Sequence, residues 1–63
     1  MSNPFVIFVG ETKNNLEPMI ATPNLLSALS QAQELTSEYP CVEVTYMPED
    51  DVETNEVVFS HRT

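Results

Sequence analysis

The run Phe-Val-Ile-Phe-Val at residues 5–9 limits the possible folds more than any other part of this chain. Aromatic and β-branched side chains favour a strand. The side chains of a strand alternate between its two faces, and here both alternating sets are apolar. The sequence therefore predicts a strand that lies at the centre of a sheet, or that has one face covered by a partner.

A second strand and a helix are predicted to follow it. Residues 16–21 read as a weaker strand, which Pro18 places at a sheet edge because proline cannot donate to a ladder. Thr22 is the predicted N-cap of a helix that starts at Pro23 and that Pro40 ends. Its apolar residues recur at helical spacing and form one stripe over about four turns. The stripe consists of Leu25, Ala28, Leu29, Ala32, Leu35 and Tyr39.

Two more strands complete the predicted fold. Residues 41–47 alternate between apolar and polar side chains, as a half-buried strand does, and residues 56–61 return as a hairpin after an acidic loop at 48–55. A right-handed crossover through the helix favours the third strand beside the first. We expect one α+β domain over residues 1–63, with the order ββαββ and a four-stranded, antiparallel-dominated sheet in the order 2-1-3-4.

One helix covers only one face of such a sheet. The other face is left open, and it carries either Val6 and Phe8 or Phe5, Ile7 and Val9. Exposed apolar side chains of this kind mark interaction surfaces, so the open face is a candidate interface.

Ten Asp and Glu residues against two Lys and Arg residues leave a net charge of -8 on 63 residues. Nucleic-acid binding needs several cations to displace counterions from phosphates, and anionic membranes require them too. The composition therefore argues against direct binding of nucleic acid or membranes. A strongly negative field attracts basic surfaces, and the expected partner is a larger protein with a basic surface.

The carboxylates are densest after the third strand, where five of them occur in eight residues. They form either a solvated loop that keeps the protein soluble or an anionic recognition surface. A calcium loop is a weaker alternative because no glycine is available for its bend. Two more acids lie at the helix end, where the macrodipole disfavours them. The predicted partner-binding residues are Glu34, Glu38, Glu49, Asp50, Asp51, Glu53 and Glu56.

Catalytic groups are sparse. Cys41 is the lone cysteine, has no Lys or Arg near it in the sequence that would make it a reactive thiol, and is expected to be a buried packing thiol. His61 is the lone histidine. We expect no enzymatic activity, no cofactor and no metal. An unpaired cysteine fits a reducing cytoplasm, and no signal peptide or membrane span is expected from the apolar run at residues 5–9.

The layout resembles small bacteriophage-encoded proteins that inactivate a host machine, in particular the short inhibitors of bacterial RNA polymerase from lytic podophages. The similar residues are the opening aromatic strand, Met-Ile-Ala-Thr at 19–22, the spacing from Leu25 to Ala28, and Val-Glu-Val-Thr at 42–45. The resemblance implies a non-enzymatic inhibitor acting in the host cytoplasm. The family presents arginines on the strand after the helix, whereas residues 42–47 here hold no cation, so no contact residue is transferred. Acidic anti-CRISPR and anti-restriction proteins, some of them similar to mimics of DNA charge, match in size and charge.

Two functions follow from the sequence. The first is a non-catalytic inhibitor whose acidic residues occupy a basic, nucleic-acid-binding surface of a larger host protein, such as RNA polymerase. The alternative is a structural or accessory module that homodimerises through the open sheet face, with acids that serve solubility alone.

Overall fold

The computed structural model describes residues 3–47 and 56–62, which form four strands and one helix. The elements are β1 (Phe5–Gly10), β2 (Glu17–Thr22), α1 (Leu25–Leu35), β3 (Cys41–Tyr46) and β4 (Glu56–Arg62). Every neighbouring pair of strands is antiparallel, and the sheet order is β2-β1-β3-β4. The ββαββ order, the α+β class and the sheet order predicted from the sequence are confirmed.

β1 lies at the centre of the sheet and β2 at its edge, as their residues predicted. β1, with two apolar faces, pairs with β2 on one side and β3 on the other. Pro18 lies in β2, at one edge of the sheet, opposite Phe8. The register shifts beside it, between Ile7 and Phe8, so β2 carries one extra residue there. An edge strand tolerates both the missing donor and the irregularity.

The core lies between α1 and one face of the sheet. It consists of Ile7, Val9, Ala28, Ala32, Val42 and Val44, with Phe5, Ile20, Leu35, Tyr39 and Phe59 packed around it. The helix contributes two fully buried alanines, Ala28 and Ala32, whose small side chains let its backbone approach the sheet closely. The centre of the interior is therefore one layer of Ile and Val side chains under two alanines.

The helix begins two residues later than the sequence predicted. Asn24, not Thr22, is the N-cap, and its side-chain oxygen accepts a 2.8 Å hydrogen bond from the backbone N–H of Ser27. Thr22 is the last residue of β2, is buried, and pairs with Phe5. Its hydroxyl donates to the carbonyl oxygen of Asn24 at 3.0 Å. Because Thr22 is held in the sheet, it supports the turn into the helix rather than capping it.

The helix also ends earlier than predicted. Thr36 is its C-cap, four residues after the buried Ala32 and four residues before Pro40. The hydroxyl groups of Thr36 and Ser37 donate to the carbonyl oxygens of Gln33 and Glu34, at 2.6 Å and 2.9 Å. Such local bonds satisfy the helix end without a further turn. At the ends of the predicted stripe, Leu25 is exposed, and Tyr39 packs on the core from outside the helix.

Replacing Asn24 with alanine is expected to lower the free energy of unfolding by about 1 kcal/mol, because the N–H of Ser27 loses its acceptor. Urea unfolding followed by far-ultraviolet circular dichroism measures the loss. Asn24→Ser retains a capping oxygen and serves as the control, with most of the stability kept. Equal stability of Asn24→Ala and wild type would contradict this cap assignment.

Candidate functional site

The sheet face away from α1 is not covered by any other element of the described residues. Ile7 and Val9 point toward α1, so the alternation of β1 places Val6 and Phe8 on the opposite face. Strand register places the facing residues of the other strands beside them. We call this surface the open face; it consists of Val6, Phe8, Pro18, Ala21, Cys41, Glu43, Thr45, Val57, Ser60 and Arg62.

The residues of β1 and β3 on the open face are half-buried or buried, and those on the two edge strands are exposed. Val6 and Phe8 are half-buried, and Cys41 is only 7% exposed although it is not in the core beneath the helix. Ala21 and Val57, on the two edge strands, are exposed. The sequence left open which alternating set of β1 residues lies on the open face, and the structure assigns Val6 and Phe8 to it.

Two of the predicted partner-binding residues lie at one end of the sheet. Glu34 is in the last turn of α1, and Glu38 is in the segment that joins α1 to β3; both are exposed. The backbone N–H of Glu38 donates to the carbonyl oxygen of Leu35 at 2.9 Å, which keeps this segment close to the helix end. The neighbouring strand ends are Gly10 and Cys41, which pair with each other.

The other predicted residue that the structure describes lies at the opposite end. Glu56 begins β4 and pairs with Tyr46, which in turn pairs with Phe5. Six residues of strand, about 20 Å, separate this end from the one that carries Glu34 and Glu38. The structure therefore does not bring Glu56 together with the helix-end acids. The predicted residues Glu49, Asp50, Asp51 and Glu53 lie outside the described residues.

An open groove of about 960 Å³ lies beside the turn between β1 and β2. Its lining includes Glu11, Glu17, Asn14, Asn15 and Tyr39. Carboxylates, amide oxygens and an aromatic face are the groups that receive the cationic side chains of lysine and arginine. The groove is thus suited to a basic side chain of a partner.

Sequence reasoning did not single out Glu11 and Glu17 as candidate binding residues. Counted along the chain, they are isolated acids six residues apart. The predicted sheet order nevertheless places the first two strands side by side, and residues that flank the turn between two neighbouring antiparallel strands come close together. That signal was present in the sequence, and it could have placed both carboxylates at one end of the sheet, the end that carries Glu34 and Glu38.

Both basic residues of the chain also lie at this end. Lys13 is in the turn between β1 and β2, and Arg62 ends β4 opposite Cys41.

Within residues 3–47 and 56–62, no three His, Cys, Asp or Glu side chains come close enough together to hold a metal ion. The described carboxylates therefore form a dispersed anionic surface rather than a chelating cluster.

Cys41 and His61 point to opposite faces of the sheet. Cys41 is buried and lies on the open face, as the sequence predicted for a packing thiol. His61 pairs with Val42, whose side chain faces the helix. Alternation along β3 thus keeps the thiol and the imidazole apart, and the described residues hold no Cys–His pair.

Comparisons of this chain with protein-family models, with curated proteins and with solved structures give no match. Within the part of the chain that the structure describes, no helix has the length and apolar character needed to cross a membrane.

Proposed function

We propose that this chain is a non-catalytic, acidic protein-binding inhibitor that occupies a basic, nucleic-acid-binding surface of a larger host protein. The observation that carries the proposal is the placement of negative charge. The described carboxylates are Glu11, Glu17, Glu34, Glu38, Glu43 and Glu56. Five of these six lie on the helix side of the sheet or at its ends, and Glu43 alone lies on the open face. Among the described residues, negative charge therefore lies on the helix side and at the ends of the sheet rather than on the open face.

The mechanism is competition for a surface, both electrostatic and steric. A net charge of -8 draws the chain toward a basic surface and raises the association rate. Affinity then depends on contacts that slow dissociation. The groove beside the β1–β2 turn supports such a contact, because Glu11, Glu17 and Tyr39 line it and their chemistry suits a lysine or arginine side chain.

The resemblance to phage inhibitors of RNA polymerase, and to acidic anti-CRISPR proteins, supports a bacterial host protein as the target. The unpaired thiol of Cys41 supports action in the reducing cytoplasm of the host. A protein that competes with nucleic acid for the same surface is expected to be displaced by duplex DNA and by salt, since salt screens the attraction between the exposed charges.

Two variants with equal net charge test which acids bind. The first replaces the acids at positions 49, 50, 51 and 53 with their amides, and the second replaces Glu11, Glu17, Glu34 and Glu38 with glutamine. Each changes the net charge from -8 to -4, so the two differ only in where charge is lost. Immobilised wild type and both variants are incubated with bacterial lysate at low salt and then eluted with duplex DNA.

We expect a host protein that duplex DNA elutes from wild type, and about a tenfold or greater loss of its retention by one variant and not by the other. Equal losses would indicate general attraction rather than a binding surface. Full retention by both variants, or the absence of any protein that DNA elutes, would refute the proposal that acidic residues occupy a nucleic-acid-binding surface.

A further inference from the structure

We propose that the open face is the contact surface for a second copy of this chain, and that two copies pack face to face as a symmetric dimer. The first reason is the composition of β1. Val6 and Phe8 present apolar side chains on the face that α1 leaves uncovered, and Pro18, Ala21 and Val57 extend that surface onto both edge strands. This proposal is independent of the proposed function, which concerns the helix side.

The charge of the open face indicates which kind of partner can pack on it. Its described charged residues are Glu43 and Arg62, and their charges cancel, whereas the whole chain carries -8. A second copy brings the same excess of negative charge, so it meets the least repulsion at the neutral face. A basic partner gains no electrostatic attraction there. Within residues 3–47 and 56–62, the distribution of charge therefore favours a second copy on the open face and a cationic partner on the helix side.

The size of the open face agrees with a small dimer interface. A standard interface takes about 800 Å² from each partner, roughly a fifth of the 4305 Å² of accessible surface. Four strands of six residues make a sheet about 19 Å wide and 20 Å long. The flat area of that face is about 400 Å², about half of the standard contribution, so a dimer that uses the whole face belongs to the small, weak class of interfaces. In a two-fold dimer the same patch serves both copies, so one apolar face is sufficient.

Salt separates this proposal from the proposed function. Two copies of like charge repel each other outside the interface, so salt that screens the repulsion strengthens the dimer. The same salt weakens a complex with a basic surface. The two interactions therefore respond to salt in opposite directions, and the failure of one proposal is distinguishable from the failure of the other.

Sedimentation equilibrium of the full chain at increasing protein concentration tests the dimer, at about 50 mM and about 500 mM salt. A reductant in every sample prevents an intermolecular disulfide through Cys41 from being counted as a dimer. Val6→Glu places a charge at the centre of the open face, and Ala21→Glu places one at an exposed position of the same face. Leu26→Glu is the matched control, because Leu26 is 78% exposed on α1 and the substitution adds the same charge.

We expect a monomer–dimer equilibrium that tightens at the higher salt. Val6→Glu and Ala21→Glu are expected to raise the dimer Kd about tenfold or more, and Leu26→Glu to leave it within about twofold. If circular dichroism shows that Val6→Glu is unfolded, Ala21→Glu decides. A monomer at high micromolar concentration and high salt would overturn the proposal. A dimer that Ala21→Glu does not weaken would also overturn it, and would assign the contact to another surface, such as the outer edge of β4.

Discussion

Replacing Ile7 with alanine is expected to remove a large part of the stability of this protein. Ile7 is fully buried and pairs with Ile20 and Val44, so the resulting cavity is bordered by three strands and the helix above them. Truncation of a buried isoleucine to alanine costs about 2–5 kcal/mol. Domains of this length have a total free energy of unfolding of about 3–9 kcal/mol. Ile7→Ala is therefore expected to be partly or wholly unfolded at physiological temperature.

Urea unfolding followed by circular dichroism, with a thermal scan, measures the effect. Leu26→Ala is the control, because it removes a side chain of equal size that is largely exposed on the outer surface of α1. We expect that control to remain within about 0.5 kcal/mol of wild type. A comparable loss for the two substitutions would mean that Ile7 does not occupy the centre of the core.

The topology of this chain was predictable because two residue patterns restrict where strands can lie. A strand with apolar residues on both faces, like β1, has no stable position at a sheet edge, and a strand that contains Pro18 has no stable position at the centre. A helical crossover that favours β3 beside β1, and a hairpin that joins β3 to β4, then leave 2-1-3-4 as the one order that meets every restriction. The sequence was sufficient for the sheet order because each restriction acts on a whole strand.

The start of the helix was not predictable from local signals. Thr22 followed by Pro23 is a standard helix start, and Asn24 is an equally good capping residue one position after the proline. The choice between them depends on the pairing of Thr22 with Phe5, a contact between residues distant in sequence. As long as Thr22 belongs to the sheet, the first capping position available to the helix is Asn24.

Which residues of β1 lie on the open face could be predicted only from β1 and β3 together. The alternation of β1 alone does not say which of its apolar sets faces α1. In β3, Val42 and Val44 form one apolar face, and the other face carries Glu43. Once the register pairs Ile7 with Val44, the odd-numbered residues of β1 face the core. That register depends on the lengths of the connecting segments, which the sequence pattern does not determine.

The candidate binding residues were only partly accessible to sequence reasoning, because it counted carboxylates along the chain. Counting emphasised the acidic segment at 48–55 and did not consider Glu11 and Glu17, which the β1–β2 hairpin brings to one groove. It also joined Glu56 and the helix-end acids in one predicted surface, although strand pairing places them at opposite ends of the sheet. Charge that matters for binding is grouped by the fold rather than by sequence distance.

Gly10→Ala is expected to lower the free energy of unfolding by roughly 1–3 kcal/mol through overpacking, and to open the turn between β1 and β2. A Cβ on Gly10 would overlap the backbone carbonyl oxygen of Asn15 and would lie 3.0 Å from its carbonyl carbon and 3.2 Å from Cα of Leu16. These are all backbone atoms, so no side chain can rotate away to make room. The turn is closed by a hydrogen bond from the N–H of Asn15 to the carbonyl oxygen of Thr12, at 3.1 Å, and a shift of Asn15 strains that bond.

Urea unfolding measures the loss of stability, and amide hydrogen exchange of Asn15 reports whether the turn opens. Lys13→Ala is the control, since it changes an exposed side chain in the same turn without adding an atom beside the backbone, and it is expected to stay within about 0.5 kcal/mol of wild type. Gly10→Ala also probes the groove, whose lining includes Gly10 and Asn15. If Gly10→Ala has wild-type stability and unchanged exchange at Asn15, the backbone of the turn does not pack against Gly10. The groove would then lack the wall that brings Glu11 and Glu17 together.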